Sequence, residues 1–206
     1  IDIHKSKLNE IGKIDGYNLR QINGWIKRYN NSIVDECANL KKTAKWLLNN
    51  IPKESSASLI HNDYKYDNIV LNSKNISEII SVLDWEMSTI GDPLMDLGTS
   101  LGYWINHNDP DFMKKLNLNP SSVEGNPTRD QFVNQYALKS KININNLIFY
   151  YVYGLFKIAV IIQQIYFRYN KGLTKDMRFK NLNLWIKELG LIASQSIDKK
   201  KLDNLF

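Results

Sequence analysis

Leu19, Ile22, Trp25, Ile26 and Tyr29 recur at three- and four-residue intervals between Gly16 and Asn30, the stripe of an amphipathic helix. Val34, Cys37, Leu40, Ala44, Leu47 and Leu48 keep that spacing and predict a second helix over Ile33 to Asn50. A polar loop, Pro52 to Ser58, ends this pattern, and Leu59-Ile60 is a short apolar step. The period then changes. Asn68 to Leu71 and Ile79 to Leu83 are strand-like, with Asn72 to Asn75 as the turn, and predict a small hairpin. Asp92-Pro93 opens a helix to about Trp104, since Asp is a preferred cap and Pro suits the first helical position. Asn106 to Pro127 has no period and reads as irregular. Thr128-Arg129-Asp130-Gln131 is a cap signature for a helix to about Ser140. Two long helices, Asn145 to Asn170 and Thr174 to Ser196, complete the pattern. With no repeat and no low-complexity linker, residues 1–206 read as one domain. Its class is α+β, predominantly helical, with a β-hairpin carrying the polar motifs.

Composition narrows this picture in a few places. A hydrophobic fraction of 43% suits a globular chain and excludes a disordered one. The single cysteine, Cys37, forbids an internal disulfide, and so favours a reducing, cytoplasmic setting. At helical spacing among Val34, Leu40 and Ala44, it reads as a small core residue. The net charge of +6 invites a nucleic-acid partner, but +4 of it lies after residue 170, where Lys199 to Lys201 form a short solvated run. No zinc-finger or RNA-binding signature accompanies it, so no nucleic-acid partner is expected. Leu147 to Phe167 is about long enough to span a bilayer. Lys157, Gln164 and Arg168, at spacings of seven and four, mark one polar stripe on it, which favours a buried core helix over a membrane segment. Ile1-Asp2-Ile3-His4 is not a leader, and the start on Ile reads as a piece of something longer or a processed form.

The chemistry concentrates in His61-Asn62-Asp63-Tyr64-Lys65-Tyr66-Asp67-Asn68 and Val82-Leu83-Asp84-Trp85-Glu86. Phosphoryl transfer from ATP needs such a set: a carboxylate to orient a hydroxyl, a cation near the moving phosphate, and an amide and a carboxylate for Mg²⁺. By residue type, Asp63 would take the hydroxyl proton and Lys65 would sit beside the γ-phosphate. Asn68 and Asp84 would hold the metal, with Asp84 bridging to the ATP phosphates. Asp67 reads as a turn former and His61 as a structural histidine bonding the loop backbone. Asp96 reads as support for the loop, and Asp92 as a cap. Glu86 faces either the metal or solvent. His4 and His107 have no partner in the sequence.

These residues resemble the aminoglycoside phosphotransferase and choline kinase group of protein-kinase-like enzymes. There the catalytic loop reads His-Gly-Asp, four residues, Asn, and the metal-binding Asp lies in an Ile/Leu-Asp-Trp/Phe-Glu context. The run from Leu83 through Asp96-Leu97 is more similar still to the branch found fused to, or near, acyl-CoA dehydrogenases. Gly125 to Arg129, Leu155 to Ile161, and Gly16-Tyr17 with Trp25 also resemble that branch. The resemblance covers nearly the whole chain. It implies the C-terminal lobe of a kinase-like fold and an ATP- and Mg²⁺-dependent transfer of phosphate to a small-molecule hydroxyl. Carried over by position, Asp63 is the base, Asn68 and Asp84 are the metal ligands, and Lys65 is a phosphate contact.

Two features depart from the family pattern. Asn62 stands where the pattern has Gly; after Gly, Asn best tolerates a left-handed backbone. No glycine-rich loop follows a strand, and the residues before Gly16 are too few for the family's upper lobe, supplied by a missing N-terminal lobe or a fused domain. Without that cover the site would work at high dielectric, so this chain alone is expected to have little or no kinase activity. Two alternatives remain open: a binding or scaffold remnant of the same fold, and a metal-assisted hydrolase. For the acceptor, the family pocket maps to about Tyr103 to Pro127 and the helix near Tyr150 to Tyr169, with Asp109 and Asp111 as its few acids. So little acid suits a polycation poorly. It favours a less cationic hydroxylated metabolite, such as the hydroxyacyl thioester that the branch implies.

Overall fold

The computed structural model describes residues 6, 8–13, 15–54, 56–116 and 119–206. His4 lies outside them. Helix α1 (Tyr17–Asn31) follows a left-handed Gly16 and buries Tyr17, Ile22, Trp25 and Tyr29. The second helix, α2, starts later than the apolar spacing suggests, at Ala38–Asn49. Ser32 stops α1 by bonding back to Arg28 and Tyr29, and Cys37 is extended at the head of α2. The apolar period continues through this break because Ile33 and Cys37 still face the core.

The expected hairpin forms, from β2 (Ile69–Asn72) and β3 (Asn75–Val82), with Ile69 opposite Val82 and the second strand beginning at Asn75 instead of Ile79. Asn72 shapes its turn by accepting a hydrogen bond from the Lys74 amide. A second pairing was not legible in the sequence. The step at Leu59-Ile60 is strand β1 (Ser58–Ile60), antiparallel to β4 (Thr89–Gly91). The two short strands lie about thirty residues apart, so only tertiary folding brings them together.

Helix α3 (Pro93–Tyr103) is capped by Asp92, whose side chain accepts from the Leu94 amide. The segment read as irregular holds a short helix, α4 (Asp111–Lys115), and a 3-10 turn at Pro120–Ser122. Thr128 and Gln131 close a reciprocal capping box on α5 (Arg129–Ser140). The last two helices are α6 (Leu147–Asn170) and α7 (Leu182–Lys199). The last helix begins well after Thr174. Asp176 ties up a local 3-10 turn by accepting from the Arg178 amide, and Leu173 and Met177 on either side of it are exposed while Phe179 packs on the core.

Helix α6 forms the centre of the fold, between α3 on one side and α7 on the other. By length and composition α6 could cross a membrane, but 78% of its most apolar stretch is buried within this fold. The α3–α6 crossing is backbone against backbone. A Cβ on Gly154 would fall 1.9 Å from the Gly98 carbonyl oxygen, and one on Gly98 would fall 2.1 Å from that of Tyr150. This close approach sets α3, and the loop that rests on its first turn, at a fixed height over α6.

A second anchor is ionic. Arg129, fully buried, pairs with Asp109 at 2.7 Å and Asp203 at 2.8 Å and donates to the carbonyls of Trp104 and Leu202. It pins the 104–109 segment and the C-terminal tail to the start of α5.

Candidate functional site

The loop between β1 and β2 carries Asp63, and its backbone is held from three directions. The Asp96 carboxylate, on the first turn of α3, accepts from the amides of His61 and Asn62, both at 2.8 Å. Burial pushes the Asp96 carboxyl up, while these two donors and the Lys157 ammonium pull it down. From α6, Lys157 donates to the Asn62 carbonyl at 2.6 Å. Ser100 of α3 donates to the Tyr64 carbonyl. Asn62 itself is left-handed, with φ of 68°. The pattern's glycine and this asparagine therefore meet the same backbone demand.

His61 reads both sides of the site. Its Nδ1 accepts from the Asp63 amide at 3.2 Å, so Nε2 carries the proton donated to the Leu83 carbonyl at 2.7 Å. The ring also lies 4.8 Å from that of Trp85.

Asp63 Oδ2 is a shared acceptor. Lys65 Nζ reaches it at 2.8 Å and Asn68 Nδ2 at 3.1 Å, and Asn68 also donates to the Asp63 carbonyl. The Lys65 ammonium lies 4.8 Å over the Tyr103 ring. Burial and the neighbouring Asp63 push the Tyr103 hydroxyl up. In this arrangement Lys65 steadies the carboxylate, whereas residue type alone suggested only a phosphate contact.

The hairpin brings the backbone at Asp84 next to Asn68. Beyond the Ile69–Val82 pair, the Leu83 amide donates to the Asn68 carbonyl at 2.8 Å, and Asp84 follows in a left-handed conformation with φ of 67°. Asp84 is exposed, and a one-turn 3-10 segment, Trp85–Met87, comes next. The Asp84 carboxylate, by hydrogen bond and by charge, pushes the Glu86 carboxyl up, with Asp63 adding a smaller push. Among the described residues, no three His, Cys, Asp or Glu side chains form a closed metal cluster. An amide oxygen and one accessible carboxylate nonetheless suit Mg²⁺, which keeps several waters and takes phosphate oxygens. The donor chemistry at Asn68 and Asp84 fits that ion.

Beside the loop lies a cleft of about 180 Å³, lined by Tyr64, Lys65, Tyr66, Ser100, Trp104 and Phe132 among others. Trp104 and Phe132 stack at 4.8 Å, and Tyr66 tilts against Trp104. No residue of α6 lines it; Tyr151 and Tyr153 are core residues. Asp109, read as a pocket acid, is instead buried against Arg129. Lys157, read as part of one polar stripe with Gln164 and Arg168, is 2% exposed and donates to the loop backbone at Asn62. A lone lysine in the apolar run from Leu155 to Ile161 was the available signal for that role. His107 contacts the Ser122 carbonyl, away from this loop.

Fold and site together define the helical C-terminal lobe of a kinase-like phosphotransferase. The family model described as "phosphotransferase enzyme family" matches residues 2–121, and the chain belongs to that family. Acyl-CoA dehydrogenase family member 11 of rat is 34% identical over 176 residues, which is 84% of this chain and 22% of that protein. The human protein of the same name is 32% identical over 203 residues, 95% of this chain and 25% of the relative. The chain thus spans between about a sixth and a quarter of the curated relatives that it matches. A crystal structure from Ralstonia eutropha, described as a candidate aminoglycoside phosphotransferase, superposes with a TM-score of 0.83 at 25% identity. The match covers 97% of this chain and 60% of that one.

Proposed function

We propose that this chain is the acceptor- and metal-holding lobe of an ATP- and Mg²⁺-dependent phosphotransferase that acts on a small-molecule hydroxyl. The observation that carries the reading is the convergence of Lys65 and Asn68 on one oxygen of Asp63, with Asp84 brought alongside by the hairpin. Asp63 accepts the hydroxyl proton as the oxygen attacks phosphorus, and Lys65 and Asn68 fix the position of its carboxylate beside the cleft. Lys65, between the carboxylate and the Tyr103 face, supplies positive charge where charge builds up on the transferred group. Asn68 and Asp84 would hold Mg²⁺, which offsets charge on the triphosphate when bound. Cover for the nucleotide is to come from an upper lobe, in the same protein or a partner.

The cleft favours an acceptor with apolar or aromatic-stacking character. Its one charged lining residue is Lys65, and its walls are Tyr64, Tyr66, Trp104 and Phe132. An aminoglycoside would meet no acidic partner there. A hydroxylated metabolite without clustered positive charge, such as a hydroxyacyl thioester, fits better, and the names of the relatives point the same way. The test is Mg²⁺-dependent ADP release by the full-length protein over a panel of hydroxylated acyl thioesters, amino alcohols and aminoglycosides. Acceptor-dependent release that is lost in Asp63→Asn supports the reading. ADP release independent of any acceptor, or no release with any of them, refutes it.

A further inference from the structure

Two adjacent residues of the catalytic loop grip the turn that carries Asp84 from either end. His61 Nε2 donates to the Leu83 carbonyl, just before Asp84, at 2.7 Å. Asn62 Nδ2 donates to the Met87 carbonyl, at the end of the 3-10 turn, at 3.0 Å. The other end of the Asn62 amide accepts from the Tyr17 hydroxyl of α1 at 3.4 Å. Its backbone is already secured, through its amide to Asp96 and its carbonyl to Lys157. Asn62 is 7% exposed, so the donor side of the Met87 bond is shielded from water.

We propose that Asn62 is a positioning residue: with His61, its side-chain amide clamps the two carbonyls that bracket Asp84 and so sets the spacing between Asp63 and Asp84. The proposal rests on the reading of those two carboxylates as base and metal ligand. The turn of three residues after a left-handed Asp84 is exposed throughout, and its own ties are those of Trp85, to the Val82 carbonyl at 2.8 Å and against the His61 ring. The chain is held again only from Thr89, where β4 pairs with Ile60 of β1, so the Asn62 bond ties the turn at Met87, between that strand and the Leu83 carbonyl. A glycine at position 62 would satisfy the left-handed backbone equally well but would have no donor for Met87. The asparagine therefore adds a constraint that the backbone conformation does not demand.

The experiment compares wild type, Asn62→Gly and Asn62→Asp in the full-length protein. Gly keeps φ positive without strain and deletes the side chain, while Asp keeps the shape and replaces the donor with an acceptor that repels the Met87 carbonyl. Two readouts are taken: steady-state turnover as a function of Mg²⁺, ATP and acceptor, and amide hydrogen exchange over residues 84–88 with the hairpin 69–82 as internal reference. For the loss of one sheltered hydrogen bond, exchange at 84–88 should quicken about ten-fold in both variants while the hairpin is unchanged. The Mg²⁺ concentration for half-maximal turnover should rise by a similar factor and kcat should fall, with the acceptor KM within about two-fold of wild type. Unchanged exchange at 84–88 overturns the clamp. Faster exchange with unaltered Mg²⁺ dependence also overturns it, because the turn would then be held without consequence for Asp84. A wild-type protein with no Mg²⁺-dependent turnover overturns the phosphotransfer reading instead, and the exchange comparison still judges the clamp by itself.

Discussion

Replacing Lys157 with Met should change the pH dependence of stability far more than stability at neutral pH. The ammonium is 2% exposed, and burial depresses its pKa from 10.5 to about 8, despite the pull of Asp96 and Asp63; Lys65 and Arg28 add to the depression. Below the folded value the protein bears the whole cost of a charged, buried lysine. Between about 8 and 10.5 the unfolded chain binds a proton that the native one has released, so stability rises with pH across that window. At pH 7 the shift is equivalent to about 3 kcal/mol of unfavourable burial, and between pH 7 and about pH 9.5 roughly 2 kcal/mol of that is recovered. Met fills the same space without charge. It removes the burial cost but also removes the bond to the Asn62 carbonyl, a charge-assisted interaction contributing about 1.5–3 kcal/mol. The two nearly cancel at pH 7, leaving the variant within about 1.5 kcal/mol of wild type. Urea unfolding of both chains at pH 7 and about pH 9.5 gives the comparison, with other titrating groups cancelling in the difference. Wild type should gain about 2 kcal/mol on the variant as pH rises. A difference that stays flat with pH would mean that the Lys157 ammonium is hydrated and keeps its ordinary pKa in the native state, and the argument for a buried charge under the loop would be wrong.

Two further substitutions test how the scaffold holds that loop. Gly154→Ala puts a methyl group 1.9 Å from the Gly98 carbonyl oxygen, so α3 and α6 must separate. The loss should be at least 3 kcal/mol, roughly the upper end for overpacking, read as a fall in the urea midpoint; a variant within about 0.5 kcal/mol of wild type would show that the helices do not meet backbone to backbone. Asp109→Ala leaves Arg129 with Asp203 as its remaining carboxylate, at 2.8 Å, in a site where its guanidinium is fully buried. Breaking a buried pair of this kind costs about 3–5 kcal/mol, and calorimetry should show a correspondingly lower Tm. Restoration by Asn at that position should be partial, because Asn supplies an acceptor without the charge.

The sequence alone determined the local elements and singled out the candidate site residues. Helices α1, α3, α5 and α6 and the β2–β3 hairpin follow from apolar spacing, Asp92-Pro93, the Thr128–Gln131 box and the Asn72–Asn75 turn, all signals that act within a few residues. Asp63, Lys65, Asn68 and Asp84 stood out as candidates because their types and spacing fit one reaction. The tertiary structure decided what distant parts of the chain do to that loop. Strand β4 has no period of its own and exists only because β1 is beside it. Asp109 looked like a pocket acid until Arg129, twenty residues on, was seen to take it into the core. Lys157 looked like one polar position on a long helix, because hydrophobic spacing reports which face a residue occupies and not what stands opposite. The glycine contact between α3 and α6 lets it reach the Asn62 carbonyl from beneath. Short-range pattern records a residue's own backbone and burial preference; the partner of a buried polar group is set by packing between segments far apart in the chain, and only the folded arrangement contains that information.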